Sequence, residues 1–287
     1  MDIVIKNEKD YGKLFYLIFK GNKSEMVTIH LYSTFLTPSD ILILSQFIII
    51  QLQQVGKVNL KVHEKSVRDY LKAIGLFEFC STNYLEPKEI KEILSYTAIP
   101  IRRVNRETMN YYISKTQNFF QSYCAGKDLG MLNITLSELI NNVYDHSRSP
   151  LDSLVFSQYY EKQNEIKIAV SDLGNGIPKT VNSYFINKGW HELDQIEAIT
   201  WALKLNKTTE SLPHNAGRGL DTICSFVKVN NGSWILLSDQ IKMIGIGSQN
   251  NFFKNTIDYF IGTVIEITIK VANLEEQETI ETIDWDF

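Results

Sequence analysis

The pattern of apolar and polar positions predicts an N-terminal part in which strands and helices alternate. The apolar runs Leu14–Phe19 and Met26–Tyr32 predict two strands joined as a hairpin. A helix from Ile41 to about Gln54 follows, and Val58–Val62 predicts a further strand. An amphipathic helix at Ser66–Ile74 comes next. Strands that alternate with helices predict an α/β layer of sheet and helices.

The C-terminal part is longer and begins with an aromatic-rich amphipathic helix at Glu107–Tyr123. A second helix is predicted at Leu136–Ser147, because its leucines recur at helical spacing. Two alternating runs, Leu154–Tyr160 and Ile166–Ser171, are separated by a polar turn and predict a β-hairpin. Later elements are predicted as helices at Gln195–Leu205 and Asp221–Val227 and as strands at 233–238 and 263–269.

Three stretches interrupt this periodicity and suggest how the chain is divided. Tyr96–Val104 predicts a linker, because Pro100 and an arginine pair break the pattern. Ile241–Phe260 is either a hairpin or an inserted loop, and the residues after Ala272 form an acidic tail. The expected domains are therefore residues 1–95 and 105–272, followed by a tail at 273–287.

Composition narrows the class of protein. The chain has 287 residues, of which 44% are hydrophobic, so it is long enough for two domains. A net charge of −4 does not indicate a basic surface for binding nucleic acid. The longest apolar run, Ile41–Ile50, is too short to cross a bilayer, and Met1-Asp2 does not open a secretory signal. Three widely spaced cysteines indicate reduced thiols and no zinc site, so a cytoplasmic protein without membrane contact is expected.

Three polar residues on the predicted helix Leu136–Ser147 carry candidate chemistry. Glu138, Asn142 and His146 are spaced by four residues, so they lie along one side of the helix, away from its apolar stripe. A carboxylate can take a proton from water, and a carboxamide oxygen can ligate Mg²⁺. The alternative is that Thr135 and Glu138 form a capping box and that the rest is an ordinary polar face.

Two glycine-containing motifs follow that helix. The predicted strand Ile166–Ser171 leads directly into Asp172–Pro178, where Gly174 and Gly176 allow a sharp bend and the close approach of a ligand. Further on, a loop ends in Gly217-Arg218-Gly219-Leu220 just before a helix. Backbone amides at such a helix start favour phosphate, although the same glycines are also compatible with a simple tight turn.

Taken in order, these motifs resemble those of the GHKL ATPases, the family of gyrase, Hsp90, histidine kinases and MutL. Glu138-x-x-x-Asn142-x-x-x-His146 is similar to the family's N box. Asp172–Ile177 and Gly217–Leu220 resemble the first and second glycine boxes, and Gly262-Thr263 resembles the closing Gly-Thr. The resemblance implies a Bergerat-type α/β sandwich, with a mixed sheet covered by helices on one face, that binds ATP or ADP with Mg²⁺.

The resemblance also implies roles for single residues. Asn142 would ligate Mg²⁺, Glu138 would act as the catalytic base, and Asp172 would accept a hydrogen bond from the adenine amino group. Thr263 would lie near adenine and contact it through a water molecule. Residues 206–216 would form a lid. Further nucleotide contacts are implied for His146, Gly174, Gly176, Ile177, Thr208, Thr209, Gly217, Arg218, Gly219 and Leu220.

The N-terminal part resembles a STAS domain, the small α/β module of sulfate transporters and anti-sigma antagonists. The resemblance rests on the order of its elements and on Val67–Phe79, which is similar to the family's closing helix. In the antagonists the first helix begins at a phosphorylatable serine, whereas the matching turn here reads Thr37-Pro38-Ser39-Asp40. Ser39 is therefore interpreted as a helix N-cap. A STAS-like domain implies a protein partner.

These resemblances leave three functions open. The first is a cytoplasmic Mg²⁺-dependent ATPase that hydrolyses ATP slowly and acts as a regulatory switch, and Glu138 favours it. The second is a serine/threonine kinase of the anti-sigma type that acts on a STAS-domain partner, because the N box is most similar to that group. The third is a nucleotide-sensing module that binds without turnover. Relatives often form homodimers, so a homodimer is also compatible with the resemblance.

Overall fold

The computed structural model describes residues 1–7, 10–11, 14, 26–81, 96–149, 152–204, 219–254 and 259–277. Several predicted features lie outside these ranges: residues 15–19 of the first predicted strand with its hairpin turn, the lid at 206–216, and the tail after residue 277. The fold is α/β, as the sequence predicts, and it is built around two sheets.

The N-terminal unit, which we define as the described residues up to 81, contains a three-stranded parallel sheet. Its strands lie in the order β1 (Asp2–Ile5), β2 (Val27–Leu31) and β3 (Val58–Val62). Strand β1 has only four residues and was not predicted. The helices of this unit are α1 (Pro38–Val55), α2 (Lys65–Ala73) and α3 (Leu76–Ser81).

Helix α1 is capped at both ends by its own sequence. Thr37 is the N-cap: its Oγ1 accepts from the Asp40 N–H at 3.2 Å, and the Asp40 carboxylate accepts from the Thr37 N–H at 2.9 Å. This reciprocal pair is a capping box. Gly56 ends the helix with a left-handed φ of 74°. The prediction that Ser39 is the N-cap is therefore wrong, because Thr37 takes that position and Ser39 lies inside the first turn.

The larger sheet has seven strands and forms the centre of the molecule. In space its strands run β4, β5, β6, β10, β7, β8, β9. Every neighbouring pair is antiparallel, so the implied mixed sheet is corrected to an antiparallel one. The strands span Ala98–Val104 (β4), Ser153–Tyr160 (β5), Glu165–Ser171 (β6), Ser233–Asp239 (β7), Ile241–Ile246 (β8), Gln249–Lys254 (β9) and Phe260–Lys270 (β10).

Strand β4 occupies the stretch that the sequence predicted to be a linker. It pairs with β5, and its register shifts between Ile99 and Arg102, which is the segment that contains Pro100. A proline is tolerated at a sheet edge or at a bulge, because no ladder hydrogen bond is required of its missing N–H. The linker prediction is wrong because proline and arginine residues, which interrupt the periodicity of a sequence, also occur in strands at the edge of a sheet.

Helices of the C-terminal part cover one face of this sheet. They are α4 (Arg106–Gln121), α5 (Gly130–Asn142), α6 (Ile177–Asn187), α7 (Gln195–Ala202) and α8 (Gly219–Val229), and a π-helical turn at Val143–Ser147 continues α5. Apolar side chains from these helices and from alternate strand positions form one core, which includes Phe120, Leu136, Ile140, Ile223 and Trp234.

Helix α1 covers the opposite face of the same sheet. It packs on β5, β6 and β10 and forms a second core with Phe47, Phe156, Ala169 and Val264. The implied sheet with helices on one face is therefore corrected to a sheet covered on both. The reason lies in strands such as β6, whose successive residues Ala169 and Val170 are both buried but on opposite faces.

The two remaining uncertain stretches have defined structures. Residues 241–254 form the hairpin β8–β9, which confirms the hairpin interpretation. The beginning of the tail is docked: Leu274 is buried, the Asp128 N–H donates to Glu275 O at 2.8 Å, and the Gln277 N–H donates to Gly126 O at 2.8 Å.

Among the described residues, no helix combines the length and the apolar character needed to cross a membrane.

Candidate functional site

The helix that carries Glu138 and Asn142 begins earlier than predicted. The Asp128 carboxylate accepts from the Gly130 N–H at 2.7 Å, where α5 starts. Thr135 lies in the interior of α5, and its Oγ1 donates to Met131 O at 2.8 Å. The capping-box interpretation of Thr135 and Glu138 is therefore wrong. Glu138 and Asn142 remain one α-helical turn apart, both half-buried.

The helix then changes geometry before it reaches His146. Val143–Ser147 is π-helical, and Arg148 ends it with a φ of 51°. A π turn is wider than an α turn, so His146 does not continue the even stripe of Glu138 and Asn142. The backbone of His146 joins the site to α6, because Thr180 Oγ1 donates to its carbonyl oxygen at 3.2 Å. Single π turns within helices often occur at functional sites.

Asn142 carries a buried amide nitrogen, Nδ2, that has no hydrogen-bond partner among the described residues. A buried polar atom without a partner costs about 1–3 kcal/mol. A half-turn of the amide exchanges its nitrogen and oxygen, so this side chain can present an oxygen at the same place. The helix thus holds a polar group whose bonding capacity is not used by the described protein atoms.

The loop after β6 contacts the end of the π turn through backbone atoms. The Asn175 N–H donates to Ser147 O at 2.7 Å. A Cβ atom at Gly174 would lie 2.0 Å from that carbonyl oxygen, so only glycine fits. Glycine at position 174 is therefore explained by the close approach of two backbone segments. The contact holds the loop after β6 against the π turn that continues α5.

A second contact of this kind joins the loop to β10. The Asp172 N–H donates to Thr263 O at 2.9 Å. Gly262 has a φ of 86°, and a Cβ atom there would lie 2.2 Å from Asp172 O. Ser238 Oγ on β7 accepts from the Ile177 N–H at 2.9 Å and donates to Gly262 O at 3.1 Å. The structure therefore brings the first glycine box and the Gly-Thr pair together.

Asp172 is a deeply buried carboxylate at the centre of these contacts. Its Oδ1 accepts from the Gly174 N–H at 2.6 Å. Burial raises the pKa of this carboxyl to about 7, although the backbone N–H groups of Gly174 and Thr263 act in the opposite direction. Near neutral pH the side chain therefore exists in both charge states, and a ligand that donates to it would favour the carboxylate.

The electrostatic surroundings of Glu138 involve a second acid and an arginine. Burial raises the pKa of Glu138, and the negative charge of Asp145 raises it further. Asp145 is itself buried and forms an ion pair with Arg106, whose Nη2 lies 2.7 Å from Oδ1. Arg106 stands at the start of α4 and partly offsets the charge of Asp145 beside Glu138. A raised pKa makes Glu138 a stronger base once it is ionised.

The second glycine box is only partly described. Gly219 is the first residue of α8, and Leu220 packs half-buried against the helical core. Helix α8 packs against α5, so its N-terminal turn belongs to the same layer as the N-box helix. The predicted contacts Thr208, Thr209, Gly217 and Arg218 lie outside the described residues.

The residues present fit a nucleotide with one bound Mg²⁺. Within the described ranges, no three His, Cys, Asp or Glu side chains are grouped as a metal cluster. Mg²⁺ does not require such a cluster, since it commonly binds one or two protein oxygens together with phosphate oxygens and water. Asn142 can supply one oxygen, and Asp172 supplies the acceptors that an exocyclic amine requires.

Three contributors to this site were missed from the sequence. Ser147 accepts from Asn175 through its backbone, Ser238 bridges the loop and β10, and Arg106 pairs with Asp145. Ser147 directly follows the Glu138–His146 motif, and Ser238 interrupts an apolar strand near its end. Both positions could therefore have been noticed in the sequence. Arg106 left none, because its partner is 39 residues away.

Comparison with known proteins adds no assignment: no protein-family model and no curated protein sequence matches this chain.

Proposed function

We propose that this chain binds ATP with Mg²⁺ in a GHKL-type site and hydrolyses it slowly. The observation that carries the proposal is the position of Asp172. Its carboxylate is buried between the glycine loop and Gly262-Thr263, where backbones meet at distances that exclude any side chain. Burying this acid costs free energy, and the amino group of adenine can donate a further hydrogen bond that favours its charged form.

Each remaining role follows from chemistry available at its position. The Asn142 amide would hold Mg²⁺, which would neutralise negative charge on the phosphates. The first turn of α8, which begins at Gly219, offers backbone N–H groups and the positive end of a helix dipole to the phosphates. Thr263 on the central strand β10, whose carbonyl accepts from the Asp172 N–H, would contact adenine through a water molecule.

Glu138 is the proposed base for hydrolysis. A water oxygen would form a bond to the γ-phosphorus while the bond between that phosphorus and the bridging oxygen breaks. ADP would leave with the bonding electron pair, and the proton of the attacking water would pass to the Glu138 carboxylate. Slow turnover is expected, because conformational steps often limit sites of this kind.

The packing of α1 supports a role for the N-terminal unit in the response to nucleotide. Helix α1 packs on the reverse face of β6 and β10, the strands that lead into Asp172 and contain Thr263. A shift of these strands on nucleotide binding would therefore reach α1 directly. We propose that the STAS-like unit presents this state to a protein partner. Ser39 in its first turn is buried, so its hydroxyl is not presented to a kinase as an acceptor.

Nucleotide binding and phosphate release, measured separately, test the proposal. Calorimetry should detect Mg²⁺-dependent ATP binding by the wild type and its loss in Asp172→Asn. Glu138→Ala should keep binding but release phosphate at least about 100-fold more slowly, as for the loss of a general base. Ser137→Ala, one residue away on α5, is the matched control and should retain both.

Each other outcome points to a different function. Binding without phosphate release by the wild type would select the sensing module over the ATPase. Transfer of the γ-phosphate to a co-purified protein, abolished in Glu138→Ala, would select the kinase. Absence of ATP binding by a folded wild type would contradict the proposal altogether.

A further inference from the structure

A cleft lies where the N-terminal unit meets one end of the larger sheet. Its walls come from residues 34–36 before α1, from the first turns of α2, and from the end of β5 with the turn that follows it. Its volume is about 390 Å³, which is within the range of small-molecule sites, and such sites often lie between domains. We call it the aromatic cleft after the rings that line it: Phe35, Tyr70, Tyr96, Tyr159 and Tyr160.

The rings of the aromatic cleft offer faces to a ligand. Phe35 is 59% exposed, and its ring meets that of Tyr160 at a centroid distance of 6.1 Å and an interplanar angle of 54°. One cation already lies over a face of Tyr160, because Lys167 Nζ is 5.2 Å from the ring centroid. The face of an aromatic ring carries negative partial charge, so it favours a cation over a neutral group.

The hydroxyl of Tyr160 is a polar group whose bonding capacity is not used by the fold. Its Oη is buried and has no hydrogen-bond partner within the part of the chain that the structure describes. Tyr70 Oη, by contrast, donates to Gln158 Oε1 at 2.6 Å, and Gln158 Nε2 donates to Tyr96 O at 3.0 Å. These bonds connect the walls of the cleft. A buried hydroxyl without a partner costs free energy, and a ligand that bonds it would recover that cost.

Buried acids make the surroundings of Tyr160 electrostatically negative. Burial raises the pKa of its hydroxyl, and neighbouring negative charges, which include those of Glu266 on β10 and Asp40 in α1, raise it further. Both acids are buried. The charge of Lys167 is offset by Glu165, whose Oε2 lies 3.8 Å from Nζ. The charged residues that line the cleft are one acid and one base, Glu161 and Lys162. The charge distribution therefore favours a cationic ligand.

We propose that the aromatic cleft binds a small organic ammonium ion that also carries a hydrogen-bonding group. The ammonium group would lie against the rings of Phe35 and Tyr160, and the hydrogen-bonding group would bond Tyr160 Oη. Such a ligand would contact both the N-terminal unit and the larger sheet, since both line the cleft. None of the residues that line the cleft belongs to the proposed nucleotide site. The inference therefore does not rest on ATP binding.

Ligand-observed NMR with the full chain tests the inference. The probes are choline, which has both groups, and tetramethylammonium, which lacks the hydroxyl. The third is the uncharged analogue of choline, in which a tert-butyl group replaces the trimethylammonium group. Choline should bind most tightly, and ring currents should shift its N-methyl protons upfield. The uncharged analogue should bind at least about tenfold more weakly, because it loses the attraction between cation and ring.

Two variants separate the two contacts. Phe35→Ala removes an exposed ring and should weaken the binding of both ammonium probes at least about fivefold. Tyr160→Phe keeps the ring and removes the hydroxyl, so it should weaken choline about fivefold and leave tetramethylammonium unchanged. The matched control is Phe253→Ala, which removes a ring that is 51% exposed on β9 and should bind both probes as the wild type does.

Three results would overturn the inference, provided that circular dichroism shows each protein to be folded. The first is a wild type that binds neither ammonium probe. The second is equal affinity for choline and its uncharged analogue, which would make the cleft a purely apolar one. The third is unchanged binding in Phe35→Ala, which would place the ammonium ion elsewhere on the molecule.

Discussion

The two faces of the seven-stranded sheet are held by different kinds of contact. On the α1 face the contacts are mainly apolar, but two hydrogen bonds cross it. The buried carboxylate of Glu266 on β10 accepts from the Ser39 N–H at 2.8 Å in the first turn of α1, and Tyr70 Oη donates to Gln158 Oε1 at 2.6 Å. On the α5 face an apolar core is joined, at one end, by backbone contacts at Gly174 and Gly262. There the amide nitrogen of Asn142 finds no partner in the part of the chain that the structure describes.

From this difference we interpret the α1 face as a packing surface and the α5 face as the side of the sheet that binds the nucleotide. The buried carboxylate of Glu266 accepts a hydrogen bond at the N-terminus of α1, where the helix dipole also favours it. The α5 face instead keeps a raised pKa at Asp172 and an unused amide at Asn142. Strand β10 belongs to both, since it carries Thr263 beside Asp172 and Glu266 beside Ser39.

The largest expected effect comes from removing the close backbone contacts. Gly262→Ala combines a left-handed φ of 86° with a Cβ 2.2 Å from Asp172 O. It should lower the free energy of unfolding by about 3 kcal/mol or more, measured by urea denaturation. Gly247→Ala, which has positive φ but nothing within 4 Å of its Cβ, should cost only about 1 kcal/mol. Equal losses would show that backbone strain alone matters.

On the opposite face, Glu266→Ala should destabilise the fold by about 2 kcal/mol, because the buried Ser39 N–H loses its acceptor. Glu266→Gln keeps an acceptor and should recover most of the loss. Glu276, which pairs with Lys127 at the surface and is 74% exposed, is the matched control; its alanine variant should change stability little. If Glu266→Ala unfolds like the wild type, Glu266 does not anchor α1.

Asn142→Leu should behave differently from an ordinary buried asparagine variant. Replacing an unpaired amide by an apolar group of similar size should leave the unliganded protein as stable as the wild type or more stable by about 1 kcal/mol. Mg²⁺-dependent ATP binding should be lost. The control is Asn182→Leu, because the Asn182 amide bonds the Leu193 backbone at 2.9 and 2.8 Å. This variant should lose about 2 kcal/mol.

Local sequence signals predicted most of the elements but not how they pack. The end of α1 at Gly56, the hairpin β5–β6 and the helix around Leu136 follow from periodicity and turn residues. The covering of the sheet's second face by α1 does not, because Ser39 and Glu266 are 227 residues apart. Strand β4 was missed for a related reason: proline and arginine residues suit both a linker and an edge strand.

The candidate site was predicted as a set of residues, but its geometry was not. Asp172 and the paired glycines stand out because a polar residue and glycines directly follow an apolar strand. The π turn at Val143–Ser147 is not encoded in any local pattern, so the position of His146 relative to Asn142 was wrong. Ser238 acts through a bridge to Ile177 and Gly262, which only the folded chain brings together.

The smallest expected effect is on the pH dependence of the free energy of unfolding, and it concerns Asp172 on the α5 face. Burial raises the pKa of Asp172 to about 7 in the folded protein, above the usual carboxyl value. The neutral acid is therefore favoured in the folded state, so its contribution to stability is fully present at low pH and is lost as pH rises through 7. Between pH 6 and pH 8 the wild type should lose about 1 kcal/mol more than Asp172→Asn.

Urea denaturation at several pH values, with both proteins in the same buffers, measures this difference. Other ionisable groups, including Glu266, are common to both proteins and cancel. Saturating ATP with Mg²⁺ should abolish the difference in slope for the wild type, because a donor on adenine favours the carboxylate and lowers its pKa. Parallel pH profiles without nucleotide would mean that Asp172 is ionised throughout this range. The inferred shift of the Asp172 pKa into the neutral range would then be wrong.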